Sequence, residues 1–279
     1  MIIRCWGARG SIPVSGKEYL KYGGDTTCIE IRTSDDKVVI IDAGSGIRRL
    51  GNRLLAENRH EYYMIFTHAH WDHLIGFPFF KPLYSKKALI KMTGCPFAQA
   101  SIKEMISRVM RPPNFPVKYS DIRADIDYQG AADATFTIGS MTVESIPLSH
   151  PNYGTGYKFI EDGKVFVFLT DNELAYKHSG GLDYDDYCKF SAHADLLFHD
   201  AEYTEEDYKS KKEWGHTVYT DALRLALEAE VKKLVLFHHN QERTDSEVDE
   251  LVKDCQEIID KKGSSLECVA ADQEMEIEL

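Results

Sequence analysis

The stretch Thr67-His68-Ala69-His70-Trp71-Asp72-His73, THAHWDH, packs three of the chain's eleven histidines and a carboxylate into six consecutive positions, 68–73. It follows the apolar run YYMIF at 62–66, which reads as a buried strand. Polar side chains delivered at the end of a buried strand need partners. A metal, a hydrogen-bond network or water can supply them.

Other strand-like runs end the same way. VVIID ends at Asp42, ESIPLS leads to His150, VFVFLT leads to Asp171, and KLVLF leads to His238, followed by His239. A single strand-end Asp or His needs no more than a local hydrogen bond. Five of one chemical type, if they converge, form a cluster of imidazoles and carboxylates. That is a ligand set for Zn²⁺, Mn²⁺ or Fe²⁺.

The rest of the chain supports a two-sheet reading. IIRCWG, TCIEIRT and KVVIIDAG are β-rich runs divided by Gly, Ser and Asp, with SDDK (34–37) as a turn. IRRLGNRLLAENR (47–59) and AQASIKEMISRVM (98–110) have helical spacing of apolar residues. Segment 111–125 carries three prolines and no clear period, and marks an irregular insertion or lid near 94–130. ATFTIGSMTVESIPLSH and GYKFIEDGKVFVFLTD read as pairs of strands around Gly-containing turns. Helices and strands then alternate, and EMEIEL at the end alternates like an edge strand. Two sheets with helices on their outer faces would bury this pattern. Hairpins are too many for a doubly wound parallel sheet. We expect one domain over 1–279.

Composition narrows the function. The formal net charge of −12 argues against a broad surface that tracks nucleic-acid phosphates, and so against a stable nucleic-acid complex. It leaves room for a small anionic substrate in a local pocket. No apolar run approaches the roughly 20 residues of a membrane span. The start MIIRCWGARG lacks a signal-peptide pattern. The six cysteines are scattered without a CxxC pair, as expected for reduced thiols in a cytoplasmic protein.

His68-Ala69-His70-Trp71-Asp72-His73 matches the H-x-H-x-D-H signature of the metallo-β-lactamase fold. IIDAG with Asp42, LSHPNYGTGY with His150, FLTDNE with Asp171 and LVLFHHN with His238 follow in the family's order. The resemblance spans roughly residues 1–240. It implies a four-layer αββα sandwich with two divalent transition-metal ions at one edge, zinc foremost and manganese or iron as alternatives. Carried over, His68, His70 and His150 bind one ion. Asp72, His73 and His238 bind the other, and Asp171 bridges them. His238, directly after its strand, is preferred to His239. A hydroxide between the metals is the implied nucleophile. Asp42 is expected to orient a ligand or the loop by hydrogen bonds.

EWGHTVYTDALRLALEA (213–229) resembles the helix start of the ribonuclease Z and small-phosphodiesterase branch, where a histidine meets the scissile phosphate. Here that is His216, with Thr217 near the helix cap; the branch's Ser-Thr pair is Thr217-Val218. GARGSIP (7–13) resembles the branch's first loop, which lines the site. His216, Asp72 and Asp42 are thus the candidates for the chemistry. The expected activity is hydrolysis of a small phosphodiester, a cyclic nucleotide or related cyclic phosphate, by an enzyme able to dimerise. The alternatives are a tRNA 3′-end endonuclease or other nuclease, and a non-catalytic metal-binding or ligand-sensing domain. His60, His178, His193 and His199 are expected to be structural or superficial. Among these His178 is best placed to approach the site. Phe77, Phe79, Phe80, Phe115 and Tyr153 are read as core, with a base-pocket role as the alternative, and KSKK (209–212) as a solvated face.

Overall fold

The computed structural model describes residues 1–94, 102–113, 115–128 and 134–279. The first sheet contains β1 (Ile2–Gly7), β2 (Cys28–Arg32), β3 (Val38–Ile41), β4 (Glu61–Phe66), β5 (Leu89–Gly94) and β6 (Asp125–Tyr128). The second contains β7 (Thr135–Ile138), β8 (Met141–Pro147), β9 (Thr155–Glu161), β10 (Lys164–Leu169), β11 (Leu196–Asp200), β12 (Lys233–Phe237) and β13 (Glu267–Ala270). The last strand, β14 (Glu276–Glu278), returns to the first sheet and pairs antiparallel with β1.

Each sheet begins as an antiparallel meander and continues in parallel. β1, β2 and β3 alternate in direction, then β3 to β6 run parallel. β7 to β10 alternate, then β10 to β13 run parallel. The hairpins seen in the sequence supply the first pattern and helical crossovers the second.

Side-chain alternation explains the layering. Ile29, Ile31, Val39, Ile41 and Ile65 face the other sheet and meet Phe159, Phe166, Phe168, Phe198 and Phe237. Their neighbours Cys28, Val38, Ile40, Tyr62 and Met64 face outward, under α1 (Ile47–Ala56) and α3 (Ile102–Val109). On the far side Val167, Leu169, Leu197, Leu234 and Leu236 are covered by α4 (Tyr184–Ser191), α6 (Tyr219–Glu228) and α7 (Asp245–Lys262). Strands apolar on both faces give continuous hydrophobic runs, which is why VVII and KLVLF show no polar alternation. The architecture is the four-layer αββα sandwich.

Within the expected insertion, α3 packs Met105 and Ile106 against the first sheet, and β6 adds the sheet's edge. Phe115, Val117, Tyr119 and Ile122 are partly buried against the same cluster. Residues 95–101, 114 and 129–133 lie outside the described ones, together with the start of the helix read from 98 and Cys95. Two short elements serve the site: α2 (Trp71–Leu74) inside the histidine stretch and α5 (Glu205–Lys211).

Candidate metal centre

β3, β4, β8, β10, β11 and β12 all release their C-terminal ends toward one edge of the sandwich. Asp42, the 68–73 stretch, His150, Asp171, Asp200 and His238 follow or end these strands. Three of them turn sharply: Asp42, Asp171 and His238 have positive φ of 59°, 51° and 59°. This left-handed turn aims each side chain back over the sheet edge.

Two groups of potential ligands result. His68, His70, His150 and Asp171 form one, and Asp72, His73, Asp171 and His238 the other; in each, one ligand atom per residue lies within 4.8 Å of the rest. Asp171 is common to both. Its carboxylate oxygens lie 3.5 Å from His68 Nε2, 3.3 Å from His73 Nε2 and 3.4 Å from His238 Nε2. The structure thus assembles every expected ligand. His239 points elsewhere, with Nε2 donating to the Ala271 carbonyl at 2.8 Å.

The donor set fits a pair of divalent cations. His68 Nε2 and His73 Nε2 are buried nitrogens without a hydrogen-bond partner. Such orphans are costly unless another ligand is intended for them. Burial pushes His68 and His150 toward the neutral form that offers a lone pair, His150 to about 3. Burial alone would push the Asp171 carboxyl up, but the imidazoles of His238, His73 and His68 outweigh it and hold the group well below the usual carboxylate range. His68 and His150 are thus in the form a metal takes. At His73, Asp72, Asp171 and Asp42 outweigh burial, and at His238, Asp171, Asp72 and Glu202 do so, raising both well above the ordinary imidazole range. These two would release a proton as an ion binds.

The opposite ring nitrogens are tied to the protein. Asp42 accepts from His73 Nδ1 at 2.7 Å and from the Thr67 amide and hydroxyl at 2.8 and 2.7 Å. The Gly215 carbonyl accepts from His150 Nδ1 at 3.0 Å, and Glu202 accepts from His238 Nδ1 at 2.9 Å. These contacts set tautomer and ring orientation. Asp42→Ala is therefore expected to cost about 10–100-fold in metal affinity or activity, without unfolding, as such partners typically do. Zinc titration and turnover on the same variant check this; an unchanged affinity and rate would deny Asp42 an orienting role.

The first loop lines the site. The Ser11 amide donates to Asp72 Oδ2 at 2.9 Å, and a Cβ on Gly10 would sit 2.4 Å from His238 Nδ1. Arg9, fully buried, braces this loop by donating to the Gly23, Asn240 and Arg243 carbonyls. Gly215 is also obligatory: its φ is +96°, and a Cβ there would strike His150 Nδ1.

His216 stands beside both groups. Its ring stacks on His238 at 4.8 Å and meets His150 edge-on at 5.4 Å. Nδ1 donates to Asp200 Oδ2 at 2.6 Å and lies 3.4 Å from Glu202 Oε2. Burial opposes its protonation, but Glu202 and Asp200 outweigh burial and raise it to about 9. Asp200, His216 and His238 are close enough to hold an ion themselves, a rival role for His216. Thr217 does not cap α6; Val218 occupies that position. The Thr217 hydroxyl instead donates to the Asn172 carbonyl and accepts from the Leu174 amide, pinning the loop after Asp171.

Sequence pattern alone does not single out Asp200, Glu202, Glu173 or Arg9. Asp200 comes nearest, since LLFHD ends in an acid like the other strands. Glu173 takes hydrogen bonds from the Gly215 and Glu213 amides, each at 2.8 Å, and from the Tyr208 hydroxyl at 2.6 Å. It thereby fixes the turn before His216. His178 also contacts Glu173, at 2.8 Å, and not the ligand cluster. His199 is buried with Nδ1 on the Asp200 carbonyl, His60 contacts Asn58, and His193 pairs with Glu230 on the surface. Phe77 and Phe80 are core, whereas Phe79 and Tyr153 are partly open to solvent. In KSKK, Lys209 and Lys211 pair with Glu206 and Asp207.

A family model described as the beta-lactamase superfamily domain matches residues 37–239. Ribonuclease Z of Oceanobacillus iheyensis is 22% identical over 233 residues, covering 69% of this chain and 75% of that protein. Among solved structures, the metallo-beta-lactamase fold protein YhfI from Bacillus subtilis aligns with a TM-score of 0.71 at 18% identity, over 100% of this chain and 99% of the other. Yeast PDE1 aligns with a TM-score of 0.69 at 14% identity, over 100% and 99%.

Proposed function

Because the chain belongs to the β-lactamase superfamily, we propose that it is a dinuclear metal-dependent phosphodiesterase acting on a small phosphodiester. The observation that carries this is a buried His216, anchored on two carboxylates, standing against two ligand groups that share Asp171. When bound, two divalent cations supply charge neutralisation and a water of lowered pKa. The chain's own groups do the rest. His68, His70, His150, Asp72, His73, His238 and Asp171 would hold the ions. Asp42, Glu202 and the Gly215 carbonyl fix imidazole orientation. His216, with Nδ1 committed to Asp200, presents Nε2 to the phosphate and passes a proton to the departing alkoxide. The acidic surface favours a small substrate over a long nucleic acid. The ribonuclease Z relatives keep an RNA substrate as the second reading. Among the described residues no helix is long and apolar enough to cross a membrane.

Protein purified without chelator and reconstituted with zinc or manganese is expected to carry close to two ions per chain by elemental analysis. Seven ligands exceed what one tetrahedral ion uses. A content that stays at or below one would refute the dinuclear site. A panel of cyclic and linear phosphodiesters, with pre-tRNA alongside, then tests the substrate class. Cleavage of pre-tRNA alone would replace the small-substrate reading.

A further inference from the structure

A second feature adjoins the metal centre. A cavity of about 150 Å³ opens between α2 and α3, lined by Ala69, Trp71, Leu74, Met105, Arg108 and Val109. Ala69 and Trp71 alternate in sequence with His68, His70 and Asp72, so the cavity begins one residue away from the candidate ligands.

Its lining is chemically specific. Leu74 and Met105 are buried and apolar. Trp71 is 59% exposed, although the other three residues of α2 are buried. A single exposed indole is ordinary by itself. Here it forms one wall of a cavity whose other lining includes the buried Leu74 and Met105, so a guest would cover it together with an apolar floor. Arg108 stands on the cavity's edge, its guanidinium oriented by Glu104 at 2.9 Å across one helical turn. Arginine stacks on flat rings and donates in its own plane to ring oxygens and nitrogens. A cavity of about this volume accepts a benzene-sized guest.

We propose that this cavity is a subsite for a single six-membered aromatic ring, of the size and polarity of a pyrimidine base, carried by the phosphodiester. Trp71 forms the stacking wall, Leu74, Met105 and Val109 the apolar floor, and Arg108 the donor to ring heteroatoms. The ring then fixes which side of the phosphate faces His216. The assignment rests on the phosphodiesterase reading, and its test separates the two.

The zinc-reconstituted protein is given phenyl p-nitrophenyl phosphate and methyl p-nitrophenyl phosphate. They share a leaving group and differ only in the retained ring. Wild type is expected to favour the phenyl ester by roughly tenfold in kcat/KM, the scale of one lost stacking contact. Val109→Phe, which fills the cavity from α3, should bring that ratio near one. Binding is read without turnover by titrating uridine 5′-monophosphate and following quenching of Trp71 fluorescence, with Trp71→Phe as the control. Saturable quenching is expected in wild type, weakened roughly tenfold by Arg108→Ala, whose exposed position spares the fold. An equal rate on both esters, or quenching that neither Val109→Phe nor Arg108→Ala alters, overturns the subsite. Saturable quenching without hydrolysis of either ester overturns the phosphodiesterase reading and leaves the subsite standing.

Discussion

Asp171→Ala is expected to abolish hydrolysis and to lower the metal content below two ions per chain. The carboxylate belongs to both ligand groups, and its oxygens approach His68, His73 and His238 within 3.5 Å. Its removal would take a ligand from each ion and leave the other six candidate ligands without their common anion. The loss should exceed the roughly 100-fold expected for residues that only orient a ligand. The fold itself should persist, because the sandwich is held by its apolar layers. Elemental analysis, circular dichroism and turnover on one preparation decide the matter. Retention of two ions with near-normal turnover would show that the strand-end carboxylate is not shared.

The second large effect is at His216. His216→Ala is expected to keep both metals and the fold but to slow cleavage of an alkyl leaving group by about 10²–10⁴-fold, the usual contribution of a general acid–base group. The loss should be far smaller for p-nitrophenolate, which departs without a proton. The geometry supports this split, since Nδ1 is held by Asp200 at 2.6 Å with Glu202 behind it. A ribose phosphodiester and bis-p-nitrophenyl phosphate, compared on wild type and variant, read the difference. Equal losses on both would reduce His216 to a phosphate-positioning group. Loss of an ion would place it, with Asp200 and His238, among the ligands.

The framework of this site is legible in the sequence because it depends on local facts. A buried strand is an apolar run, and a ligand beyond it is the polar residue that ends the run. The αββα layering follows from strands apolar on both faces. What the sequence conceals depends on contacts between distant residues. Glu202 has no local signature, yet it meets His238 across 36 positions. Arg9 lies in the glycine-containing loop 7–13, where nothing local marks it as buried, and its bonds reach Asn240 and Arg243. The pairing of β14 with β1 joins residues more than 270 positions apart, beyond any local periodicity. Thr217 looks like a helix cap by residue type, but the Asn172 carbonyl competes for its hydroxyl, and the helix starts later.

The left-handed turns at Asp42, Asp171 and His238 have a consequence for how the protein can change. Outside glycine, that conformation costs of the order of 1 kcal/mol or more per residue. The three turns are therefore a standing debt, incurred where the side chain is needed and nowhere else in those strands. Laboratory selection for heat resistance alone would favour glycine at these positions, which relieves the backbone and discards a buried titratable group. The resulting proteins would be sturdier and inert, the familiar trade between robustness and activity. Thermal hardiness in a homologous or engineered chain thus says nothing of a working centre unless the residues at these three turns are inspected as well.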